Sequence, residues 1–386
     1  MIHTTLPIFK FKDKKLLPIV QGGMGIGISA HRLAGTVAKY GAIGTIASID
    51  LRHHHPDLEM SGCKDNSILN KMNLIALDRE IKEAIKLSNK NGMIAVNVMK
   101  AVTDHAALVR QACESGADAI VMGAGLPLDL PDMTQDFPHV ALIPILSDSR
   151  GISLVLKKWL RKNRLPDAIV IEHPKYAGGH LGAADRSQLL DTRFDFKTVI
   201  SETFQLFKEL GITEKTIPLI PAGGINSYQK INNLISFGAQ AVQIGTPFAV
   251  TEECDAHENF KMVLANASVD QITTFMSVAG LPARGVMTPW LKKYLERVVK
   301  LQSRARSEGR KCAAGLNCLI RCGLRDGNAK TGQFCIDVHL TAALKGDLKK
   351  GLFFRGSEAL PFGNKIQSVE ELLTYLLNQN KNLVAT

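Results

Sequence analysis

Long apolar runs are missing from this chain: none in its 386 residues approaches the length that crosses a bilayer. The opening stretch MIHTTLPIFKFKDKK also lacks the continuous apolar core of a secretory signal, so a cytoplasmic protein is expected. Aromatic residues are scarce, at 6%, and they do not interleave with the basic residues as base-stacking surfaces require. The net charge of +11 gathers in helix-like stretches such as WLKKYLERVVKLQSRARSEGRK (290–311). That excess reads as a solvated face, or one that steers anionic substrates; nucleic acid and membranes are not expected partners. Low-complexity tracts and short internal repeats are absent too, which excludes a disordered chain or a solenoid. Seven cysteines, an odd number, argue against a secreted disulfide framework and for reduced thiols.

What is present is a core-forming pattern. Hydrophobic residues make up 45% of the chain, enough for one large core and a smaller appended unit. Eight apolar runs of strand length recur at 16–24, 42–49, 92–99, 117–125, 140–148, 167–174, 217–225 and 239–248. They are nearly continuous rather than alternating, as parallel strands buried on both faces should be. Amphipathic helical stretches lie between them, with Ser29, Thr103 and Asn226 as expected N-caps and Gly41, Gly116 and Gly238 as expected terminators. Two connections are irregular, 50–76 and the proline-rich 126–139. This α/β order predicts a closed (β/α)8 TIM-type barrel over 1–250, with an open doubly wound sheet as the alternative. Residues 251–386 read as a mainly helical C-terminal extension, with a helix beginning in 335–354 and a final one capped by Ser368.

Barrel enzymes place their sites at the carboxyl ends of the strands and often bind phosphate after the seventh and eighth. The turns PAGGI (221–225) and QIGTPF (243–248) fall there, and their bare N–H groups can cradle a phosphate. The first strand ends in QGGMGIGIS (21–29), where Gly23 lets a planar ring lie on the backbone and Met24 can pack on its face. Polar residues close other apolar strands: Asn97, Ser147, Asp148, Glu172 and His173. Such groups are costly unless satisfied, so their convergence suggests a site. YAGGHLGA (176–183) strips side chains from around His180 at the end of the sixth strand. Phosphate cradle, ring platform and polar rim together fit flavin mononucleotide (FMN) better than a sugar phosphate.

The ordered motifs PIVQGGMG, AVNVM, AGGHLG, PAGGI and QIGTPF, with GLPARGVMT (280–288) beyond them, resemble the nitronate monooxygenase family. The same superfamily includes FMN-dependent enoyl-acyl-carrier-protein reductases. The resemblance implies a TIM-like barrel that holds FMN non-covalently, contacted by Asn97 and by Gly178; Gly23, Met24 and Gly179 are expected cofactor contacts beside them. It implies that Gly223, Gly224, Gln243, Ile244, Gly245 and Thr246 hold the ribityl phosphate. His180 matches the family histidine that serves as base or proton donor. His173 stands where the family often has glutamine and is carried as a further flavin contact, while Tyr176 replaces the usual acidic residue.

Three functions follow. The first is nitronate oxidation with O2. The second is an NAD(P)H-dependent flavin reductase acting on an enoyl thioester or quinone, and the third a non-redox barrel enzyme that binds a phosphorylated substrate. A small-molecule substrate is expected in each case, with a homodimer as a further expectation. Cys312, Cys318, Cys322 and Cys335 have spacings similar to the iron–sulfur ligands of flavin-dependent dienoyl-CoA reductases, and four thiolates can hold a cluster. Cysteine also packs as a small hydrophobe, so a metal-free segment is the equal alternative. Consecutive His53, His54 and His55 cannot share one face and are expected in a surface loop over the barrel mouth.

Overall fold

The computed structural model describes residues 2–60, 62–213, 217–305 and 318–379. Two short strands, β1 (Phe9–Phe11) and β2 (Lys14–Leu16), pair antiparallel ahead of the barrel. The barrel strands are β3 (Ile19–Gln21), β4 (Ile43–Ala47), β5 (Met93–Met99), β6 (Ala119–Gly123), β7 (Ala141–Leu146) and β8 (Ile169–Glu172). After β9 (Gly179–His180), which leaves the barrel, β10 (Leu219–Ala222) and β11 (Val242–Ile244) complete it. All eight pair in parallel, and β10 bonds both β8 and β11, which closes the cylinder. Each expected run holds one barrel strand; the open-sheet alternative is excluded.

The strand alternation divides the core. Inward residues, among them Val20, Ile43, Ala95, Val121, Ile143, Val170, Ile220 and Ala241, pack with Phe9, Phe11 and Leu16, so the N-terminal hairpin plugs one end. Outward residues such as Ile19, Ile94, Ile120, Ile169 and Leu219 pack against the surrounding helices.

The helices are α1 (His31–Lys39), α2 (Asn66–Ser88), α3 (His105–Glu114), the single turn α4 (Leu130–Met133), α5 (Ser149–Leu160), α6 (Phe196–Glu209) and α7 (Tyr228–Ser236). Gly41, Gly116 and Gly238 stop their helices at positive φ, as expected. The three expected N-caps each fall one residue short. Ala30, Asp104 and Ser227 occupy those positions, and of these only Ser227 accepts a backbone N–H with its side chain. Ser29 instead accepts the Met24 N–H, and Asn226 donates to Ala359 O. The irregular connection 50–76 resolves into a 3-10 turn, Leu51–His54, and the first half of α2.

Beyond the barrel come α8 (Thr246–Ala249), α9 (Glu258–Asn266), α10 (Pro289–Ser303), α11 (Gly323–Asp326), α12 (Ile336–Leu344) and α13 (Val369–Leu377). Ser368 caps α13 in a reciprocal box with Glu371, as the sequence predicts. This mainly helical region also contains a hairpin that the pattern did not announce, β12 (Ile272–Met276) with β13 (Pro282–Val286). Its second strand pairs with β9, Ala283 opposite His180 and Arg284 opposite Gly179. No helix among the described residues is long and apolar enough to cross a membrane.

Candidate active site

At the carboxyl ends of the barrel strands lies a cavity of about 550 Å³. Its wall includes Gly23, Met24, Asn97, Gly178, Gly179, His180, Gly223, Gly224, Gln243, Ile244, Gly245 and Thr246. One expected contact is absent from the lining. His173 follows Glu172 on an alternating strand, so it turns away from the barrel interior. It is buried against Tyr176 and Phe196, with Nε2 3.6 Å from Asp195 Oδ1. Its expected place against the ring is therefore not supported by the geometry.

The inward parity of each strand sets the floor. Asn97 continues the row Met93 and Ala95, Gln243 the row of Ala241, and Glu172 the row of Ala168 and Val170. The Asn97 amide donates to Val121 O at 3.3 Å. Gln243 is buried, and its Oε1 has no hydrogen-bond partner among the described residues. Glu172 makes no hydrogen bond or ion pair among them either, and burial pushes its carboxyl up to about 7.

Main chain dominates the seventh and eighth strand ends. Gly223 and Gly224 hold φ of 105° and 73°, a turn that side chains with Cβ adopt only under strain. A Cβ on Gly245 would meet only Met24 Sδ, at 3.8 Å, so this backbone faces open space. The Gly356 N–H donates to Thr246 Oγ1 at 3.0 Å and brings Arg355 onto the same part of the wall. Arg355 is buried and donates to the carbonyls of Leu264 and Gly356. A buried guanidinium bonded to carbonyls gives this part of the cavity positive potential.

His180 hangs on β9 with its Nε2 and Ser277 Oγ sharing a hydrogen bond of 2.7 Å, its ring 5.7 Å from that of Phe354. Burial lowers its pKa to about 4, so the imidazole is neutral at pH 7. The AGGH turn is held from behind by Arg284 Nη1, which donates to Pro174 O at 3.1 Å and to Ala177 O. A Cβ on Gly178 would fall 2.6 Å from Arg355 C, so the turn packs directly on the C-terminal segment.

Of the other polar strand ends, Ser147, Asp148 and Glu172 line the cavity as expected, while Phe354, Arg355 and Asp337 line it from outside the expected set. Asp337, in the first turn of α12, has one buried carboxylate oxygen without a hydrogen-bond partner among the described residues. Burial and the neighbouring Asp50 push its acid up to about 8. Parity along β8 was signal enough for Glu172. For the other three, far along the chain, the sequence carried none.

The histidine and cysteine stretches take other forms. His53 Nδ1 lies 3.0 Å from Glu59, His54 Nε2 2.8 Å from Gly27 O, and His55 Nε2 2.9 Å from Glu80. The triplet is half-buried in separate contacts rather than exposed in a loop. Cys312 lies outside the described residues; Cys318 lines the cavity, Cys322 caps α11 and Cys335 precedes α12. Among the described residues, no three His, Cys, Asp or Glu side chains gather as a metal site.

A closed parallel barrel with glycine turns at its last two strand ends, and a mainly apolar cavity with a few polar groups among them, defines an enzyme of the TIM-barrel class. Residues 10–379 match the family model described as nitronate monooxygenase. The chain belongs to the nitronate monooxygenase family and is an oxidoreductase. A Bacillus subtilis (strain 168) protein named "Probable nitronate monooxygenase" is 27% identical over 72% of this chain and 78% of its own. Among solved structures, FabK from Thermotoga maritima superposes with a TM-score of 0.63 at 21% identity, covering 95% of this chain and 93% of that one. Nitroalkane oxidase from Streptomyces ansochromogenes gives 0.62 at 18%, covering 95% of each. At such identities these structures establish the shared fold.

Proposed function

We propose that this protein is an FMN-dependent oxidoreductase that oxidises alkyl nitronates with O2. One observation carries the reading: a cavity of about 550 Å³ joins the bare β10 and β11 turns to His180 across the glycine-lined end of β3. The residues fit the cofactor. The turns at Gly223–Gly224 and Gly245–Thr246, with Arg355 beside them, suit the phosphate. Gln243 Oε1, without a partner of its own, suits an N–H of the ring, and Gly23 with Met24 supplies a flat, soft wall. When bound, the flavin supplies the two-electron redox chemistry.

The chain's own residues bind and orient. Arg355 gives the cavity a positive potential that favours an anionic nitronate. His180, neutral and oriented by Ser277, can hydrogen-bond to the substrate without competing for its charge. Phe354, Leu352 and Leu340 of the C-terminal region help to keep water from the reacting face. The names of the curated relatives point the same way.

The test is anaerobic mixing of the purified protein with ethyl nitronate and, separately, with NADPH or NADH. The expected result is a yellow protein bleached by nitronate and reoxidised by air. Bleaching by the nicotinamide alone would replace this reading with the reductase, and a colourless protein would overturn both.

A further inference from the structure

The cavity extends beyond the residues that suit the cofactor. Around the cylinder, β4 and β5 stand on the far side of β3 from the β10 and β11 turns. Past their ends, Ile49, Met99, Leu319, Ile336 and Leu340 line an apolar compartment of the same cavity. Chain from the C-terminal region covers it. The Ile320 N–H donates to Ala101 O at 2.9 Å and the Thr103 N–H to Cys318 O at 3.2 Å, which stitches this segment to the end of β5. Helix α12 is tied down by Thr341, whose Oγ1 lies 3.4 Å from His53 Nε2, and by the ion pair of Lys345 with Glu59.

Two carboxyls, Asp50 and Asp337, stand in the wall of this compartment, and they are 6% and 7% exposed. Asp50 is occupied: its Oδ1 accepts Asn73 Nδ2 at 2.9 Å and lies 3.5 Å from Arg52 Nη2. Asp337 is not. Its Oδ1 is buried and has no hydrogen-bond partner among the described residues. Two other atoms beside Asp50, Arg52 Nε and Asn73 Oδ1, are bare in the same way. Buried polar atoms are as a rule paired, so three around one carboxylate mark a place that bound groups complete. Asn73 lines a second cavity of about 90 Å³, which also touches Asp50 and has room for water. Asp337 lines the large cavity and not the small one.

The charges narrow what can complete it. Burial beside Asp50 pushes the Asp337 acid up to about 8, so it keeps its proton at pH 7, and Arg52 already answers Asp50. The cluster offers neither a free cation for a carboxylate nor a spare negative charge for an ammonium group. What it offers is an acceptor oxygen.

We infer that this compartment is a specificity subsite, in which Asp337 Oδ1 accepts a hydrogen bond from a hydroxyl at the far end of an alkyl nitronate. The substrate class is an ω-hydroxyalkyl nitronate: the reacting end lies near His180, the chain along Met99, Leu319 and Leu340, and the hydroxyl at Asp337. The inference rests on the flavin reading above and adds to it the identity of the substrate's tail.

The experiment takes flavin-loaded wild type, Asp337→Leu and Asp337→Asn and a series of straight-chain nitronates of increasing length. Each length is offered plain and with a hydroxyl, carboxylate or ammonium group at the far end. In wild type, the hydroxyl form should exceed the plain form about tenfold in kcat/KM at one length, mainly through a lower KM. Asp337→Leu should bring that ratio within about twofold of unity, while Asp337→Asn, whose amide keeps an acceptor oxygen, retains most of it. Should Asp337→Leu fail to fold by melting temperature, the wild-type ratio and its retention in Asp337→Asn decide. A yellow, nitronate-bleached protein that uses plain and hydroxyl forms equally at every length has water alone at Asp337, which overturns the subsite and leaves the flavin reading standing. Preference for a carboxylate or ammonium end does the same, as does a hydroxyl preference that survives Asp337→Leu. A colourless protein, or one bleached by nicotinamide alone, overturns the nitronate reading and this inference with it.

Discussion

Gly23 leaves no room for a methyl group, because a Cβ there would lie 2.4 Å from Asn97 Cβ. Gly23→Ala must push the end of β3 away from β5. The expected cost is about 1–3 kcal/mol in urea unfolding, with less flavin retained per chain by absorbance. His180 makes a separate prediction about pH. Its folded pKa lies below its unfolded one, so below about 6.5 the unfolded chain binds a proton that the folded chain refuses until about 4. Stability from this group is therefore complete above pH 6.5 and is lost as pH falls toward 4. His180→Asn should lose less stability than wild type between pH 7 and pH 5, as read from melting temperatures at both values. Glu172, the last residue of β8, and His173 just after it show what sequence can and cannot supply at this scale. The run DAIVIEHP announced polar groups at a strand end, but only the two-residue period tells that Glu172 faces in and His173 faces out.

Elements were legible where their signals were local. The barrel strands were readable because each is a continuous apolar run, and three of them lead into amphipathic helices that stop at Gly41, Gly116 and Gly238. The last helix was readable from Ser368 and Glu371, which close a capping box over a face made of Val369, Leu372, Leu373, Leu376 and Leu377. Ser368→Ala should cost about 1 kcal/mol, measured as a lower urea midpoint with an unchanged slope. The N-terminal hairpin was present as alternation, Phe9 and Phe11 buried around exposed Lys10, but it is only three residues long. Its two rings stack 5.2 Å apart inside the barrel plug. Phe11→Ala should cost about 3–5 kcal/mol by the same measurement. The β12–β13 hairpin is itself local, with five register pairs, but its third strand β9, joined by two, lies far earlier in the chain. Local propensity does not report a partner at that separation.

At the scale of the whole molecule, cavity and stability are linked. A ligand that binds only the folded state stabilises it by RT ln(1 + [L]/Kd), about 2.7 kcal/mol at a hundredfold excess over Kd. Riboflavin phosphate added to stripped protein should therefore raise the melting temperature by several degrees, and riboflavin, which lacks the anionic group, by less. Equal shifts would argue against a phosphate cradle at the β10 and β11 turns. The site was legible in outline because barrel order assigns its position. Its cover was not, since Phe354, Arg355 and Asp337 reach the cavity by tertiary packing with no local mark in their own sequence.

The pairing of β9 with β13 also bears on how the protein is made. A ribosome delivers the AGGH turn about a hundred residues before the strand that fixes its edge, at roughly 5–20 residues per second. Seconds of synthesis separate the imidazole from the scaffold that aims it, and Arg355, which packs behind Gly178, emerges later still. A nascent or prematurely terminated chain can thus wind much of its cylinder while the reactive turn stays unanchored. Competence arrives only after β13 and Arg355 have both been made.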